Sequence, residues 1–435
     1  MGRQDEIYKE RLRKIHELRA EGFNPYPNKF ESTARSDQLQ KKYAKIAKGK
    51  HTKDAVEIAG RVMSVRDIGK IAFCVLDDGH GRIQLVLQEK ETKEKFRAFF
   101  KQFIDAGDFM GVRGVVMRTE RGELSVLVKD GELLSKSLLP LPEKWHGITN
   151  EEERLRLRYL DLLMNPEVRE LFVKKARFWN TMRQFLTERA FLEVETPVLE
   201  TAAGGASATP FATHHNALDL DVYLRISMGE LWQKKLMVAG YPKTFEIGRQ
   251  FRNEGMDAEH LQDYTQMEFY WGYANYEDGM KLVEELYREV AQKTFGTLKF
   301  NVGEHSFDLG KKWARVDYAT EVKKKTGIDI FEATKEDMLK TIQKLGIEHQ
   351  PTQERARLMD LLWKHCRKTI AGPAFLIGQP VEVTPLAKRN PKDPRVVEQF
   401  QVILAGSELG NGYSELNDPL DQEQRFQEQR KLKED

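Results

Sequence analysis

Residues 244–273 constrain the fold of this sequence more than any other segment. They contain two runs of alternating polar and apolar residues, FEIGRQFRNE at 245–254 and DYTQMEFYW at 263–271, with a polar loop between them. Because successive side chains of a strand point to opposite faces, the pattern predicts an antiparallel hairpin with one apolar face. The opposite face would carry charged and hydrogen-bonding side chains: Gln250, Arg252, Glu254, Gln266, Glu268 and Tyr270.

The composition of that polar face favours a binding site over a solvated surface. An ordinary amphipathic hairpin carries Lys, Thr and Ser on its exposed face. Arginine, glutamate and tyrosine side by side can instead bind a phosphate and a cation. A merely solvated face is the alternative that the pattern alone leaves open.

A later strand repeats this arrangement. Alternation places Asn411, Tyr413 and Glu415 on one side of a strand, and the apolar run at 400–405 predicts a buried strand before it. The glycines between the two runs indicate bends or a close backbone approach. A bulge there would change the face on which Glu408 lies.

Residues 55–135 have a different character. Several short alternating runs, a helical piece near 90–106 and a hairpin turning near 121–122 predict a small closed barrel. The OB barrel is the commonest such module and binds single-stranded nucleic acid with basic and aromatic side chains. Such side chains are present here: Arg61, Arg66, Lys70, Phe73, His80 and Arg82. An ordinary barrel with scattered charges is an equal alternative, because the segment is nearly balanced in charge.

Charge and cysteine content exclude some classes of protein. The formal net charge is only +2, so any nucleic-acid surface must be local. The two cysteines, Cys74 and Cys366, have no metal-ligand spacing, which predicts packed thiols in a reduced compartment, the cytoplasm. No apolar run could span a bilayer, and we expect no membrane partner. No glycine-rich phosphate loop occurs, so any ATP must be held in another way.

Several long motifs resemble one family, the class II aminoacyl-tRNA synthetases. Residues 245–255, with their continuation to Glu268, resemble motif 2, and FLEVETPVL at 191–199 resembles motif 1. In that family Pro197 of motif 1 would lie at the interface of a homodimer. Four further segments resemble the lysine enzymes in particular: 158–163, 204–219, 380–387 and 411–418. The resemblance covers essentially the whole chain.

The resemblance implies an α+β fold. It consists of an N-terminal OB-type β-barrel and a class II core built on an antiparallel β-sheet flanked by helices. The expected domains are a helical extension at 1–54, an anticodon-binding barrel at 55–138, a linker at 139–160 and a catalytic domain at 161–435.

The same resemblance implies a reaction and its residues. The carboxylate of lysine attacks the α-phosphate of ATP, and the terminal ribose of tRNA(Lys) then accepts the lysyl group. Arg252 would act in catalysis by gripping the α-phosphate, with Glu254 on the adenine, His260 near the outer phosphates and Tyr264 stacked on the adenine ring. Lysine would be bound by residues from four segments: Gly205, Glu230, Glu268, Tyr270, Asn411, Tyr413 and Glu415.

Metal and tRNA residues follow in the same way. Glu408 and Glu415 would bind Mg²⁺, although Gln401 stands where many relatives have a carboxylate, which leaves the number of ions open. Three barrel residues match positions that contact anticodon bases in relatives: Phe73, Gln84 and Glu123.

One family motif has no counterpart in these residues. Motif 3, a glycine-rich strand and helix with an ATP-binding arginine, is absent, which predicts an incomplete copy of a longer ligase with reduced activity. Two other functions are open, a paralogue that binds tRNA or lysine without ligase activity and an aspartate- or asparagine-type ligase. An aspartate pocket needs a cation, whereas this sequence offers Glu230, Glu268 and Glu415.

Overall fold

The computed structural model describes residues 2–142, 150–202, 204, 208–256, 260–350, 353–384 and 386–434, with the backbone alone for 428–434. Gly205, assigned to lysine by the resemblance, lies outside the described residues. The chain divides into two compact units, Met1–Pro166 and Glu167–Asp435.

The first unit is built around a closed barrel whose strands follow the order β1-β2-β3-β5-β4. The β3–β5 pair is parallel and the other pairs are antiparallel. The elements are α1 (Arg3–Ala20), α2 (Ser36–Lys42), β1 (His51–Asp67), β2 (Ile71–Asp77), β3 (Arg82–Gln88), α3 (Glu94–Phe103), β4 (Phe109–Arg118), β5 (Leu124–Ser135), α4 (Glu151–Arg156) and α5 (Arg158–Met164). The predicted barrel and the helix between its third and fourth strands are therefore confirmed.

Alternation along the strands fills the barrel. In β2 the side chains of Ala72, Cys74 and Leu76 are buried in the core, whereas Phe73 between them faces outward and is partly exposed. Phenylalanines on one side of α3 pack into the same core.

Buried charge attaches α1 to the loops at one end of the barrel. The Lys136 ammonium has no exposed surface and lies 2.8 Å from the equally buried carboxylate of Asp108. It also donates to the Phe103 carbonyl at 2.6 Å and contacts Asp105, which Lys14 of α1 reaches at 2.9 Å. Removal of any one of these charged side chains would leave a buried charge without its partner.

The second unit combines helices with several small sheets. Its elements are α6 (Pro166–Glu188), β6 (Leu192–Glu193), β7 (Leu199–Glu200), β8 (Ala212–His215), β9 (Leu220–Leu224), α7 (Glu230–Val238), β10 (Lys243–Phe251), β11 (Asp263–Trp271), α8 (Tyr276–Phe295), β12 (Lys299–Val302), β13 (His305–Asp308), β14 (Ala314–Asp317), α9 (Tyr318–Thr326), α10 (Lys335–Lys344), α11 (Arg355–Arg367), β15 (Ala374–Ile377), β16 (Gln399–Leu404), β17 (Ser407–Tyr413) and α12 (Pro419–Glu434).

Strand pairing in this unit is mostly antiparallel, with two exceptions that the sequence did not predict. The hairpin β10–β11 carries β6 in parallel on the edge of β10, and β14 runs parallel to β15 in the sheet β14-β15-β16-β17. Parallel pairing requires a long crossover connection, and both pairs have one. The chain between β6 and β10 contains α7, and the chain between β14 and β15 contains α9, α10 and α11.

Helix α8 supports both of the polar strand pairs. Its Leu282 and Leu286 pack with Phe245 of β10, and its Met280 packs with Phe400 of β16. Phe269 of β11 contacts both of these apolar clusters. The hairpin and the β16–β17 pair therefore rest on one continuous apolar floor, which brings their polar faces to the same side.

Both cysteines are buried free thiols. Burial raises the pKa of Cys74 to about 12 and that of Cys366 to about 11, which makes both thiols unreactive near neutral pH. Of the helices in the described segments, none has the length and apolar character needed to cross a membrane.

We predict that Lys136→Met destabilises the first unit by about 3–5 kcal/mol, because it leaves the buried Asp108 carboxylate without a cation. Lys93→Met is the matched control, since Lys93 is an exposed lysine that pairs with Asp130 at 2.6 Å. That variant should lie within about 1 kcal/mol of wild type. Urea unfolding followed by circular dichroism measures both, and equal losses would contradict the buried-charge account.

Candidate functional site

The polar face of the hairpin is a ladder of directly opposed residues. The register of β10 and β11 places one face of each strand side by side in four pairs: Thr244 with Tyr270, Glu246 with Glu268, Gly248 with Gln266, and Gln250 with Tyr264. The predicted face therefore contains Gln250, Gln266, Glu268 and Tyr270 as expected. Arg252 and Glu254 differ from the prediction, because β10 ends at Phe251 and both residues lie in the loop that follows.

Two carboxylates face each other in the middle of this ladder. Glu246 and Glu268 are a cross-strand pair, an arrangement that is destabilising unless a cation offsets it. Arg225 supplies that cation, with Nη1 2.6 Å from Glu246 Oε1 and both side chains almost fully buried. The Thr196 hydroxyl donates to the other Glu246 oxygen at 2.6 Å. Glu246 was not among the residues predicted for this face, although the alternation of side chains along the two strands places it on the same face as Glu268.

A glycine makes room for the Arg225 guanidinium. A Cβ atom at position 248 would lie 2.5 Å from Arg225 Nη2 and 3.1 Å from the sulfur of Met228. The guanidinium therefore crosses the strand directly over Gly248. It also donates from Nε to the Arg249 carbonyl at 2.9 Å, which ties the segment after β9 to the hairpin.

Glu268 has weaker compensation than Glu246. Its Oε1 accepts the backbone N–H of Met228 at 3.2 Å and the Gln266 amide at 2.7 Å. Burial raises the pKa of Glu268 to about 7. The charges of Glu230 and Glu246 also raise this pKa, whereas the hydrogen bond from the Met228 N–H lowers it. A cationic ligand beside such a carboxyl group would lower its pKa and so favour its ionised form.

Glu230 begins helix α7 at the edge of the same pocket. The preceding Gly229 has φ +57°, and a Cβ there would lie 2.3 Å from the Thr196 hydroxyl, so the chain can turn here only at glycine. Glu230 is buried, and its Oε1 accepts from Lys234 at 2.7 Å and from the Tyr413 hydroxyl at 3.4 Å. Glu415 pairs with the same ammonium at 2.9 Å.

Two tyrosines complete this acidic pocket. Burial raises the pKa of Tyr270 and of Tyr413 well above the usual value, and neighbouring carboxylates, Glu230, Glu268 and Glu415 among them, add to it. Both hydroxyls therefore remain neutral hydrogen-bond donors. The structure thus brings together most of the residues that the resemblance assigns to lysine: Glu230, Glu268, Tyr270, Tyr413 and Glu415. Asn411 lies further along β17, exposed, and accepts from the Gln399 amide at 2.8 Å.

The residues that the resemblance assigns to ATP lie at the open end of the hairpin. The Arg252 guanidinium carbon is 5.6 Å from the centroid of the Tyr264 ring, and burial raises the pKa of that tyrosine. Glu254 is exposed and accepts the Thr209 N–H at 3.1 Å. His260 is exposed in the connecting loop. Arg252 and Tyr264 are therefore adjacent, whereas Glu254 and His260 belong to the loop around them.

A bulge determines where Glu408 points. Val402 pairs with Gly410 but Ile403 pairs with Glu408, so one extra residue lies between these pairs in β17. Glu408 therefore shares the face of Asn411 and Tyr413, on the strand pair that also carries Gln401. Its Oε1 accepts from the Trp363 indole at 2.8 Å.

The two predicted metal ligands, Glu408 and Glu415, come from different parts of one segment. Glu408 lies on β17, and Glu415 lies two residues beyond the end of that strand, where it forms a β-bridge with Ala387. Within the described residues no three His, Cys, Asp or Glu side chains are placed so that they could hold a metal ion together. Magnesium in nucleotide sites is typically held by one or two carboxylates plus substrate phosphates. Glu408, with the Gln401 amide on the same face, offers one such carboxylate, and Glu415 offers another. Each has a cation beside it here, Arg367 at 3.6 Å from Glu408 and Lys234 at 2.9 Å from Glu415, which a metal ion would replace.

The three residues assigned to the anticodon lie on the outside of the barrel. Phe73 is paired with Arg66 on one side and Val86 on the other, and Gln84 is paired with Val75. Glu123 is exposed at the turn before β5. Phe73 is thus a partly exposed aromatic ring beside a basic residue.

Comparison with known proteins agrees with this geometry. Residues 150–435 match the family of class II tRNA synthetases (D, K and N), and residues 56–134 match the OB-fold nucleic acid binding domain. The chain belongs to the class II tRNA synthetases.

Within that class, the chain is similar to lysine–tRNA ligases over nearly its whole length. The chain is 43% identical to the lysine–tRNA ligase of Thermotoga maritima over 431 aligned residues. The aligned region covers 99% of this chain and 86% of that protein. The chain is 41% identical over 430 residues to the lysine–tRNA ligase of Thermosipho africanus, covering 99% of this chain and 85% of that protein. For the lysine–tRNA ligase of Roseiflexus sp. the identity is 44% over 428 residues, covering 98% and 87%.

We predict that Gly248→Ala lowers the free energy of unfolding by about 1–3 kcal/mol, because its methyl group forces the Arg225 guanidinium off Glu246. Gly255→Ala, in the loop of the same hairpin, is the control, since a Cβ there meets nothing within 4 Å. Chemical denaturation monitored by tryptophan fluorescence compares the two variants. A Gly248→Ala protein as stable as wild type would refute the close approach.

Proposed function

We propose that this chain is an ATP-dependent lysine–tRNA ligase, which activates lysine to lysyl-adenylate and transfers the lysyl group to the 3′ end of tRNA(Lys). The observation that carries the proposal is the acidic pocket, in which Glu230, Glu268 and Glu415 converge with two neutral tyrosines. The relatives named lysine–tRNA ligase support the same substrate.

The charge of the pocket selects a cationic amino acid. Clustered carboxylates repel one another, and Glu268 is already only partly ionised near neutral pH. An ammonium group relieves this repulsion, whereas the carboxylate of an aspartate side chain would increase it. Asparagine carries no side-chain charge and would leave the repulsion unchanged. The aspartate and asparagine alternatives are therefore disfavoured by the same feature that favours lysine.

Activation needs charge stabilisation at the α-phosphate. The planar guanidinium of Arg252 can donate two parallel hydrogen bonds to phosphate oxygens and offset the charge that builds up as the lysine carboxylate attacks. Tyr264, beside it, would stack on the adenine ring, with Glu254 and His260 contributing from the loop. Glu408 and Glu415 would hold Mg²⁺, which would supply further neutralisation of the phosphate oxygens.

The remaining partners follow from exposed surfaces. Phe73 would stack on an anticodon base, with Gln84 and Glu123 as hydrogen-bonding groups, since single-stranded bases are read by aromatic and polar side chains. In the motif 1 segment, Val198 and Leu199 are 40% and 49% exposed, an apolar surface that a second copy of the chain would cover in a homodimer. We place the protein in the cytoplasm.

Isothermal titration calorimetry with lysine, aspartate and asparagine tests the proposal. We expect lysine to bind and the other two not to bind at the same concentrations. Lysine-dependent exchange of pyrophosphate into ATP then separates a ligase from a protein that only binds lysine. Preferential binding of aspartate or asparagine would reject the lysine assignment.

We predict that Glu268→Gln weakens lysine binding about ten- to a hundredfold, the range of one lost charge-assisted hydrogen bond. Asp263→Asn is the control, because Asp263 is exposed at the start of the same strand. Its affinity for lysine should equal that of wild type.

The wild-type affinity should also depend on pH. Ammonium binding requires the ionised carboxylate, and the Glu268 pKa of about 7 means that a proton must leave when lysine binds below that pH. The dissociation constant should therefore fall as pH rises from 6 to 8, and this dependence should flatten in Glu268→Gln. A wild-type affinity that is constant over this range would contradict the role of Glu268.

We predict that Phe73→Ala weakens tRNA(Lys) binding about ten- to a hundredfold, since stacking on one base contributes about 1–3 kcal/mol. Phe109→Ala is the control, because Phe109 is an exposed aromatic residue at the start of β4. Filter binding with wild-type and anticodon-mutated tRNA measures both. Unchanged affinity in a folded Phe73→Ala protein would remove this residue from the interface.

A further inference from the structure

The acidic pocket already contains a lysine of the chain itself. Lys234 lies one helical turn after Glu230 in α7, so that both side chains share a face of the helix. Its ammonium is 2.7 Å from Glu230 Oε1 and 2.9 Å from Glu415 Oε1. The Lys234 side chain is 27% exposed, whereas that of Glu230 is only 8% exposed.

The ion pairs of the pocket leave one carboxylate without a cation. Glu246 is paired with Arg225, and Glu230 and Glu415 share Lys234. Among the residues that the structure describes, no lysine or arginine forms an ion pair with Glu268, which only accepts from neutral donors.

We propose that Lys234 is a built-in competitor of the substrate, a tethered ammonium that holds Glu230 and Glu415 in the empty pocket and that lysine must displace from one of them. This inference rests on the proposed function and deepens it. Lys234 and free lysine carry the same ammonium on the same four-carbon stem, so both satisfy the same carboxylates.

The competition affects selectivity. A ligand with one ammonium group can pair with Glu268 but gains little from displacing Lys234. A ligand with two ammonium groups, such as lysine, can pair with Glu268 and also replace Lys234 on Glu230 or Glu415. Lys234 therefore lowers the affinity for lysine, whose second ammonium group must displace it, and leaves unaffected a monoamine that pairs with Glu268 alone.

Replacing the tethered ammonium by an apolar side chain of similar length tests the proposal. In Lys234→Met, lysine should bind about tenfold more tightly than in wild type, because one competing charge-assisted contact is gone. Lys235→Met is the matched control, since Lys235 is the next residue of the helix and lies over the Trp232 ring at 4.2 Å instead of in the pocket. Lys234→Arg retains the charge and should not gain affinity.

Calorimetry and thermal unfolding report on this independently. Lysine should raise the melting temperature of Lys234→Met by more than it raises that of wild type, because stabilisation by a ligand increases with its affinity. Lys234→Gln carries the same expectation and serves if the methionine variant does not fold. A purely structural role for Lys234 would weaken lysine binding in both variants.

Two results overturn the inference. One is lysine affinity in folded Lys234→Met or Lys234→Gln that is equal to or below that of wild type. The other is an equal gain in Lys234→Arg, which would implicate side-chain shape instead of charge competition. Failure of wild-type protein to bind lysine at all would instead reject the proposed function, so the two failures are distinguishable.

Discussion

The buried ion pair between Arg225 and Glu246 is the interaction on which the rest of the site depends. Its guanidinium crosses the hairpin over Gly248, holds the Thr196 segment and leaves the Met228 N–H in position to donate to Glu268. A pair at 2.6 Å with both groups desolvated requires good geometry on every side to be favourable. This requirement explains why a glycine, a threonine and a backbone carbonyl all meet there.

Around this pair, the pocket is organised by an excess of negative charge. Folding buries Glu268 directly opposite Glu246 and close to Glu230, and its pKa is raised by this burial first and then by the two neighbouring charges. Such a site is less stable empty than occupied by a cation. The repulsion between the carboxylates destabilises the empty pocket. A lysine ligand relieves this repulsion when it binds, which makes its binding free energy more favourable.

Much of this could be predicted from the sequence, because strand alternation is a local property. The parity of residues 263–271 placed Gln266, Glu268 and Tyr270 on one face, as β11 has them. The alternating runs of residues 55–135 likewise predicted the barrel. In contrast, Arg252 left the expected face because β10 ends one residue before it, and strand ends depend on tertiary contacts that parity does not contain.

Other features lie beyond local pattern. The pairing of Arg225 with Glu246 joins residues 21 positions apart through a packed core, and no spacing rule indicates it. In the sequence, Lys234 has no feature that separates it from an ordinary lysine on a helix surface. Its place in the pocket depends on its pairing with Glu415, a residue distant in sequence that follows β17. The parallel pairings of β6 and β14 also depend on how helices return the chain to the sheet.

The shared apolar floor has a mechanical consequence. Phe269 lies under the Glu268 and Tyr270 strand and packs simultaneously with the Phe400 cluster beneath Tyr413. Close-packed cores do not shear by small amounts without losing contacts. The hairpin and the β16–β17 pair therefore keep one relative position, and with it the spacing between Glu268 and Tyr413 on their polar faces. A pocket whose polar groups stand on one packed apolar layer discriminates between ligands by the fixed spacing of its carboxylates and hydroxyls.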